Sequence, residues 1–331
     1  MTVPSDQCCR SVKPNQVIRS PTPEGGSLTG YLHPLYARAL AEFGTPIELK
    51  ECGGWLLSRP VPNSSSNDAM GCYPLFCCQN WTKLGLDLDG LASDLVSAAL
   101  VVDPFADATA DALRHCFQIV RPFKQHYLVD LHDSKETHGS RHHRYYTRKA
   151  LQSLTVECAE GWALMTYLEE WVQLYNHLIQ RHHLTGVKRF SPESFRRQFE
   201  VPGLLMFVAK HNGQLAGAHL WFVQGQVGYS HLAAANDIGY NFMASYAMYS
   251  AAIDFFKERQ QVRWLNLGAG AGISAEGKDG LAEFKRGWSN STRTTHFCGK
   301  IFDADKYSFL ARANGIPEGS YFPSYRQGEF A

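Results

Sequence analysis

The chain has 331 residues, 44% of them hydrophobic and 12% aromatic, and its formal net charge at pH 7 is +1. This length favours two domains over one, and the near-neutral charge excludes a global electrostatic attraction to nucleic acid or to a membrane surface, so any anion site must be local. No apolar run reaches the roughly 18 residues of a membrane span, and the first residues lack the order of a signal peptide. We therefore expect a cytoplasmic protein whose nine cysteines are reduced thiols.

The first half of the chain alternates between helical and extended patterns. After a stretch of 29 residues rich in proline, serine and glycine, the spacing predicts a helix over 31–43. The further predicted elements are paired strands at 55–62 and 70–78, helices at 87–100 and 107–117, and strands at 100–103 and 119–131. A polar and basic segment, 132–151, then separates two halves of the chain.

The second half has clearer patterns. The predicted elements are a strand at 153–159, a helix at 162–179, three strands at 204–211, 214–223 and 226–234, a long helix at 240–259 and a buried strand at 262–268. Ser191 and Pro192 predict another helix start, since serine caps a helix and proline suits its first turn. The glycine-rich loop 268–272, a helix at 280–288 and a last β-ribbon at 292–303 complete the order.

Three sequence motifs accompany this order: HLxA at 231–234, LNLGAGAG at 265–272, and GLxEFKxGWS followed by CGKI at 280–301. Together they resemble the GNAT acyltransferase superfamily, and within it the CelD-like and Fem-type aminoacyltransferase branch, over residues 151 to 307. The resemblance implies an α+β, tandem GNAT-like fold with mixed, mostly antiparallel sheets flanked by helices. It divides the chain into a truncated GNAT-like domain with a basic connector, 1–150, and a C-terminal GNAT domain, 151–331.

The resemblance implies an acyltransferase that forms an amide on a small or peptidyl amine acceptor, with no tightly bound cofactor. Acetyl-CoA-dependent members carry a Q/R-x-x-G-x-G/A turn whose backbone N–H groups hold the pyrophosphate. The matching stretch, 236–241, keeps one glycine and lacks the basic residue. We therefore favour an aminoacyl-tRNA donor over acyl-CoA or an acyl carrier protein. A non-catalytic GNAT scaffold that binds a ligand is the third alternative.

Two residues are predicted to be catalytic. In Fem-type proteins the Phe-Lys pair that matches Phe284 and Lys285 lies in the donor channel, so Lys285 would bind phosphate or polarise the acyl carbonyl. The alternative is an exposed lysine at a helix end. His231 is the second residue, on the strand whose free backbone N–H groups would meet the acyl carbonyl in this fold. It is either a base that titrates near neutrality or a core histidine.

The predicted substrate-binding residues are Phe284, Arg144, Arg148, Tyr145, Tyr229, Asp237, Tyr246 and Asn266. Arg144 and Arg148 are four residues apart, so a helix would place both on one face, beside Tyr145, where they suit a phosphate or carboxylate; the alternative is a solvated linker. Asp237 either orients an ammonium group or caps the long helix. No metal is expected, because the histidines lack ligand spacing with a carboxylate partner.

Overall fold

The computed structural model describes residues 28–133, 138–271, 279–313 and 321–329. Within these ranges eleven strands form one sheet. The strands are β1 Thr45–Leu49, β2 Gly54–Pro60, β3 Asn67–Gly71, β4 Leu95–Val101, β5 Ile119–Asp130, β6 Thr155–Glu160, β7 Leu204–His211, β8 Gln214–Gln224, β9 Val227–Ala235, β10 Trp264–Asn266 and β11 Ser291–Ile301.

The described α-helices cover both faces of this sheet. They are α1 Pro34–Ala39, α2 Leu84–Gly90, α3 Ala110–Cys116, α4 Arg141–Ala150, α5 Leu168–His182, α6 Pro192–Phe199, α7 Asp237–Asn241, α8 Ala244–Arg259, α9 Gly280–Trp288 and α10 Ala304–Ala313. The predicted start of α6 is confirmed: the Ser191 side chain accepts a hydrogen bond from Ser194 N, and Pro192 occupies the first turn.

The strand order is β1-β2-β3-β4-β11-β5-β10-β9-β8-β7-β6. The described pairings are antiparallel except for β3 with β4 and β9 with β10. This arrangement confirms the predicted fold class of a mixed, mostly antiparallel architecture flanked by helices. One continuous sheet spans both halves, because the C-terminal strand β11 lies between β4 and β5 of the first half. The domain boundary at residue 150 stays a prediction.

Several predicted elements differ from the structure, among them the helix predicted over 31–43, which is α1 between two 3-10 segments, and the strand predicted at 70–78, which ends at Gly71. The helix predicted over 87–100 ends at Gly90, and its second half is the buried strand β4, because consecutive apolar residues suit a strand covered on both faces. The long helix predicted over 240–259 is divided into α7 and α8, since Met243 has a left-handed backbone with φ of 59°. The last ribbon is the single long strand β11.

The parallel pair β9 and β10 opens after only three residues. Trp264, Leu265 and Asn266 pair with Val227, Gly228 and Tyr229. β10 then ends, whereas β9 continues to Ala235 without a described partner on that side. On its other side β9 has a register shift against β8 around His231. Beyond Tyr229, the edge of β9 that paired with β10 therefore borders a gap in the sheet. The register shift against β8 is a β-bulge, and β-bulges often lie next to active sites.

Candidate active site

The helix α9 brings Lys285 to the open end of β10. Its first turn is capped by Asp279, whose Oδ1 accepts a hydrogen bond from Leu281 N at 3.0 Å. Lys285 is half-buried, and its Nζ donates to the carbonyl of Ala269 at 2.7 Å. Burial lowers the pKa of Lys285 to about 8, and the charge of Lys124 lowers it further. Among the described residues, no carboxylate forms an ion pair with it.

Phe284, the preceding residue, lies in an aromatic cluster between α4, α8 and α9. Its ring centroid lies 5.0 Å from that of Tyr246 and 5.0 Å from that of Tyr249, in edge-to-face geometry. The structure thus brings the predicted residues Phe284 and Tyr246 into direct contact, one residue away from Lys285. Tyr246 also contacts the connector helix, because its carbonyl accepts a hydrogen bond from Thr147.

The connector helix α4 is held against α9 by His143. Its Nδ1 lies 2.8 Å from the Ser140 hydroxyl at the helix start, and its Nε2–H donates to the Phe284 carbonyl at 2.8 Å. The imidazole covers Gly287 so closely that a Cβ on that residue would collide with the ring. The glycine in the EFKRGW segment therefore has a packing role: it allows α4 and α9 to approach.

Asn266, at the end of β10, fixes the glycine-rich loop. Its Oδ1 accepts a hydrogen bond from Gly268 N at 2.9 Å and lies 2.9 Å from His126 Nδ1 on β5. Burial lowers the pKa of His126 to about 4, and the nearby charges of Lys285 and Lys124 act in the same direction. The imidazole of His126 is therefore neutral, and the positive charge at this loop comes from Lys124 and Lys285.

A chain of three polar groups borders the gap and was missed from the sequence. His219 Nε2 on β8 lies 2.8 Å from the Ser230 hydroxyl, which lies 3.3 Å from the Tyr249 hydroxyl on α8. Ser230 is the first residue of β9 beyond its pairing with β10. Burial lowers the pKa of His219 to about 3, and Lys285 contributes. The cluster forms because β8 pairs with β9 and α8 packs on them, and no motif within one short segment predicts it.

His231 and Tyr229 lie on the opposite face of the sheet from α9. His231 is buried, with Nδ1 3.0 Å from the Tyr31 hydroxyl and Nε2 2.9 Å from Gln198 Oε1. Burial lowers its pKa to about 3. Both ring nitrogens are engaged within the core, which argues against the predicted role as base and favours the alternative of a core histidine. The Tyr229 hydroxyl donates to the buried carboxylate of Asp103 at 2.7 Å, so this ring is also part of the core.

The remaining predicted residues lie on the surface. Arg144, Arg148 and Tyr145 are exposed on the face of α4 that points away from His143, and Arg144 donates to the Gly139 carbonyl at 2.6 Å. Asp237 is exposed and lies within 3.6 Å of Arg181. The predicted capping role of Asp237 belongs to Asn236, whose Oδ1 accepts from Gly239 N in the short helix α7. The structure does not bring these residues into contact with Lys285.

The turn 236–241 has no open cradle for a pyrophosphate. Asn236 occupies it with its own side chain, which bonds Gly239 N at 3.1 Å and the Leu215 carbonyl at 2.8 Å. A Cβ at residue 239 would overlap the carbonyl of Ala216, so Gly239 serves the close packing of α7 on β8. The one glycine that the sequence retains here therefore has a structural explanation.

Residues 137–286 match the family model described as the acetyltransferase (GNAT) domain. This part of the chain is similar to a GNAT acyltransferase domain. The match begins just before α4 and ends within the EFKRGW segment, so it includes both Lys285 and the gap beside β9. The resemblance predicted from the sequence and the assignment as an acyltransferase are thereby confirmed.

Solved structures with the same fold include FemX, with a TM-score of 0.61 and 13% identity over 83% of this chain and 93% of that chain. The C-terminal domain of a putative lysylphosphatidylglycerol synthetase from Agrobacterium fabrum has a TM-score of 0.57 and 14% identity, over 85% of this chain and 90% of that chain. L-PGS from Bacillus licheniformis has a TM-score of 0.55 and 14% identity, over 83% of this chain and 93% of that chain. Identities this low establish the fold alone. Among curated proteins, no sequence matches the chain.

Two absences concern the described residues. No helix there combines the length and apolar character needed to cross a membrane. Within the same residues, no group of three or more histidine, cysteine or acidic side chains has a geometry that could hold a metal ion.

Proposed function

We propose that this GNAT domain transfers an acyl group from an activated ester to an amine, in the gap between β9 and β10. The observation that carries the proposal is Lys285: a half-buried ammonium group at the mouth of the gap, without a carboxylate partner among the described residues. An ammonium group held in this way is available for a negative charge that comes with the substrate. Phe284 adds an apolar ring beside it.

The chemistry needs positioning more than strong catalytic groups, because the donor ester is already activated. The amine nitrogen attacks the acyl carbonyl, the ester C–O bond breaks, and the leaving oxygen takes up the proton that the amine loses and becomes a hydroxyl. Backbone N–H groups of β9 beyond Tyr229, where no described strand pairs with that edge, would stabilise the oxyanion together with Lys285. Ser230 would relay the proton, since its hydroxyl lies at the edge of the gap and His219 holds it.

We favour an aminoacyl ester carried by tRNA as the donor and a small molecule or peptide as the acceptor. The filled turn at 236–241 disfavours the pyrophosphate of acyl-CoA. The exposed face of α4 presents Arg144 and Arg148, which suit phosphodiesters. Folds shared with FemX and with lysylphosphatidylglycerol synthetases support an aminoacyl group. Acyl-CoA or an acyl carrier protein as donor, and a binding scaffold without activity, are the alternatives.

A donor comparison tests this proposal. The purified protein would be titrated with acetyl-CoA by calorimetry and assayed for transfer from aminoacylated tRNA to a panel of amines and short peptides. We expect acetyl-CoA to bind in the millimolar range or weaker, about 4 kcal/mol or less, and the aminoacyl ester to be consumed only when an amine is present. Micromolar acetyl-CoA binding would favour the CoA alternative, and consumption of neither donor would favour the scaffold.

A further inference from the structure

A second lysine, Lys124 on β5, reaches the same loop as Lys285. Its Nζ lies 3.4 Å from the carbonyl of Gly270, while Lys285 Nζ lies 2.7 Å from the carbonyl of Ala269. The two ammonium groups thus contact successive carbonyls of one loop, although they arrive from a strand and from a helix. Each ammonium carries three donors, and the loop uses one from each. Within the described residues neither ammonium group donates to a further acceptor, so the remaining donors can serve a ligand.

Neither ammonium group has an anion to neutralise it within the described residues. The carboxylate of Asp279 acts on both lysines, and its charge raises their pKa values. Its oxygens are bonded to the backbone N–H groups of Leu281 and Ala271, and it forms no ion pair with either lysine. Burial lowers the pKa of both lysines, and the charge of Lys188 lowers that of Lys124 further. Two like charges held together without an internal partner are a costly arrangement that an external anion would relieve.

Glycine occupies two positions of the loop that the two lysines meet, residues 268 and 270. A Cβ at residue 268 would lie 3.1 Å from Lys285 Nζ, and the φ of Gly268 is +78°, which favours glycine. A Cβ at residue 270 would collide with the Asp279 carboxylate. Gly268 therefore leaves room for the Lys285 ammonium group, and Gly270 leaves room for the Asp279 carboxylate that bonds the loop. His126, on which both lysines act, has its pKa lowered to about 4 and brings no negative charge.

We propose that Lys124 and Lys285 together bind one phosphate group of the acyl donor, against the backbone of residues 268–271. The inference rests on the proposed acyl transfer and adds Lys124 as a determinant of donor binding. A phosphate presents several oxygens and at least one full negative charge, which suits two ammonium groups from different elements. The phosphate belongs either to the phosphodiester at the 3′ end of an RNA or to the pyrophosphate of CoA.

The test uses inorganic pyrophosphate as the probe and measures its affinity for the full chain by calorimetry at low salt. Lys124→Gln and Lys285→Gln should each weaken binding by about tenfold or more, and Lys124→Arg should retain it, because the charge remains. Lys83→Gln is the matched control: this exposed lysine forms no ion pair among the described residues and lies in the 3-10 helix Trp81–Lys83. Lys124→Met replaces the glutamine variant if that protein does not fold.

Unchanged pyrophosphate affinity in Lys124→Gln, relative to Lys83→Gln, would overturn the inference, as would wild-type protein that does not bind the probe. Competition then identifies the source of the phosphate: an RNA minihelix ending in CCA and free CoA are each added against pyrophosphate. Displacement by either supports the site, and displacement by neither overturns it. Because transfer is not the readout, binding without transfer would contradict only the proposed function.

Discussion

The imidazole of His143 occupies the space that a side chain at residue 287 would need, so only glycine allows the two helices α4 and α9 to meet. The same ring donates to the Phe284 carbonyl at 2.8 Å, one residue before Lys285. The connector helix therefore fixes the position of the helix that carries the proposed donor-binding lysine.

Substitution at this contact should destabilise the protein. Gly287→Ala should lower the free energy of unfolding by about 1–3 kcal/mol, despite the better helix propensity of alanine, because the His143 ring must move. Gly280→Ala is the control, since no atom lies within 4 Å of a Cβ there and the variant should be neutral or slightly more stable. Urea denaturation measures both. A full cost for Gly287→Ala in a His143→Ala background would contradict the explanation.

Transfer should depend on pH through Lys285. The pKa of its ammonium group is lowered to about 8, below the value of about 10.4 in an unfolded chain. As the pH rises through 8 the cation is lost, so we expect kcat/KM to fall on the alkaline side. Lys285→Ala should reduce transfer by about a hundred- to a thousandfold without unfolding the protein.

Lys285→Arg gives the matched comparison, because a guanidinium stays charged throughout this range. Its residual activity should show no alkaline decrease near pH 8. The wild-type protein should also become more stable between pH 8 and 10, where the unfolded chain holds the proton more tightly, and Lys285→Gln should lack that increase. Wild-type transfer in Lys285→Ala would mean that the EFKRGW segment is structural.

Ser230 and His231 are neighbours in sequence but should respond differently to substitution. Ser230→Ala should lower kcat by about a hundredfold or more, because the proposed proton relay is lost. His231→Ala should instead destabilise the fold by about 2–5 kcal/mol, since it leaves the Tyr31 hydroxyl and Gln198 buried without partners. Its activity per folded molecule should be unchanged. Rates normalised to the folded fraction separate the two, and a catalytic defect in His231→Ala would restore His231 as the base.

Acid should destabilise the protein through three buried histidines. The pKa values of His126, His219 and His231 are lowered by burial to about 4, 3 and 3. An unfolded chain takes up these protons near pH 6.5, so the free energy of unfolding should decrease as the pH falls from about 6.5 towards 4. His231→Gln should reduce this dependence, and the exposed His115→Gln should not. Stability that is flat across this window would contradict the neutral state of these rings.

The exposed face of α4 should govern the salt dependence of an RNA donor. Removing Arg144 or Arg148 should reduce the slope of log affinity against log salt by about 0.7–0.9 for each cation removed. Arg114→Ala on α3, an exposed arginine in another helix, should leave the slope unchanged. Fluorescence titration of labelled tRNA at several salt concentrations measures this. Equal slopes in all variants would mean that α4 does not contact the donor.

Local patterns in the sequence determined the positions of many strands and helices and the family resemblance. The spacing of apolar residues predicted the strands β5 to β9 and the helix α9, and serine followed by proline predicted the start of α6. Motifs of a few residues sufficed for the GNAT resemblance and for Phe284 beside Lys285. Each of these signals lies within one short segment, where side-chain periodicity and capping act on neighbouring residues.

Only the tertiary structure decided which residues meet. His219, Ser230 and Tyr249 come from three elements, and Lys124 reaches the loop of Lys285 across more than 140 positions of sequence. The register of β9 against β8 shifts around His231, and a shift of one residue exchanges the two faces of the strand beyond it. Burial lowers the pKa of both His231 and Lys285. His231 is surrounded by the core, whereas Lys285 lies beside the gap in the sheet. Periodicity along the chain carries no information about that difference, because it arises from how distant strands and helices pack.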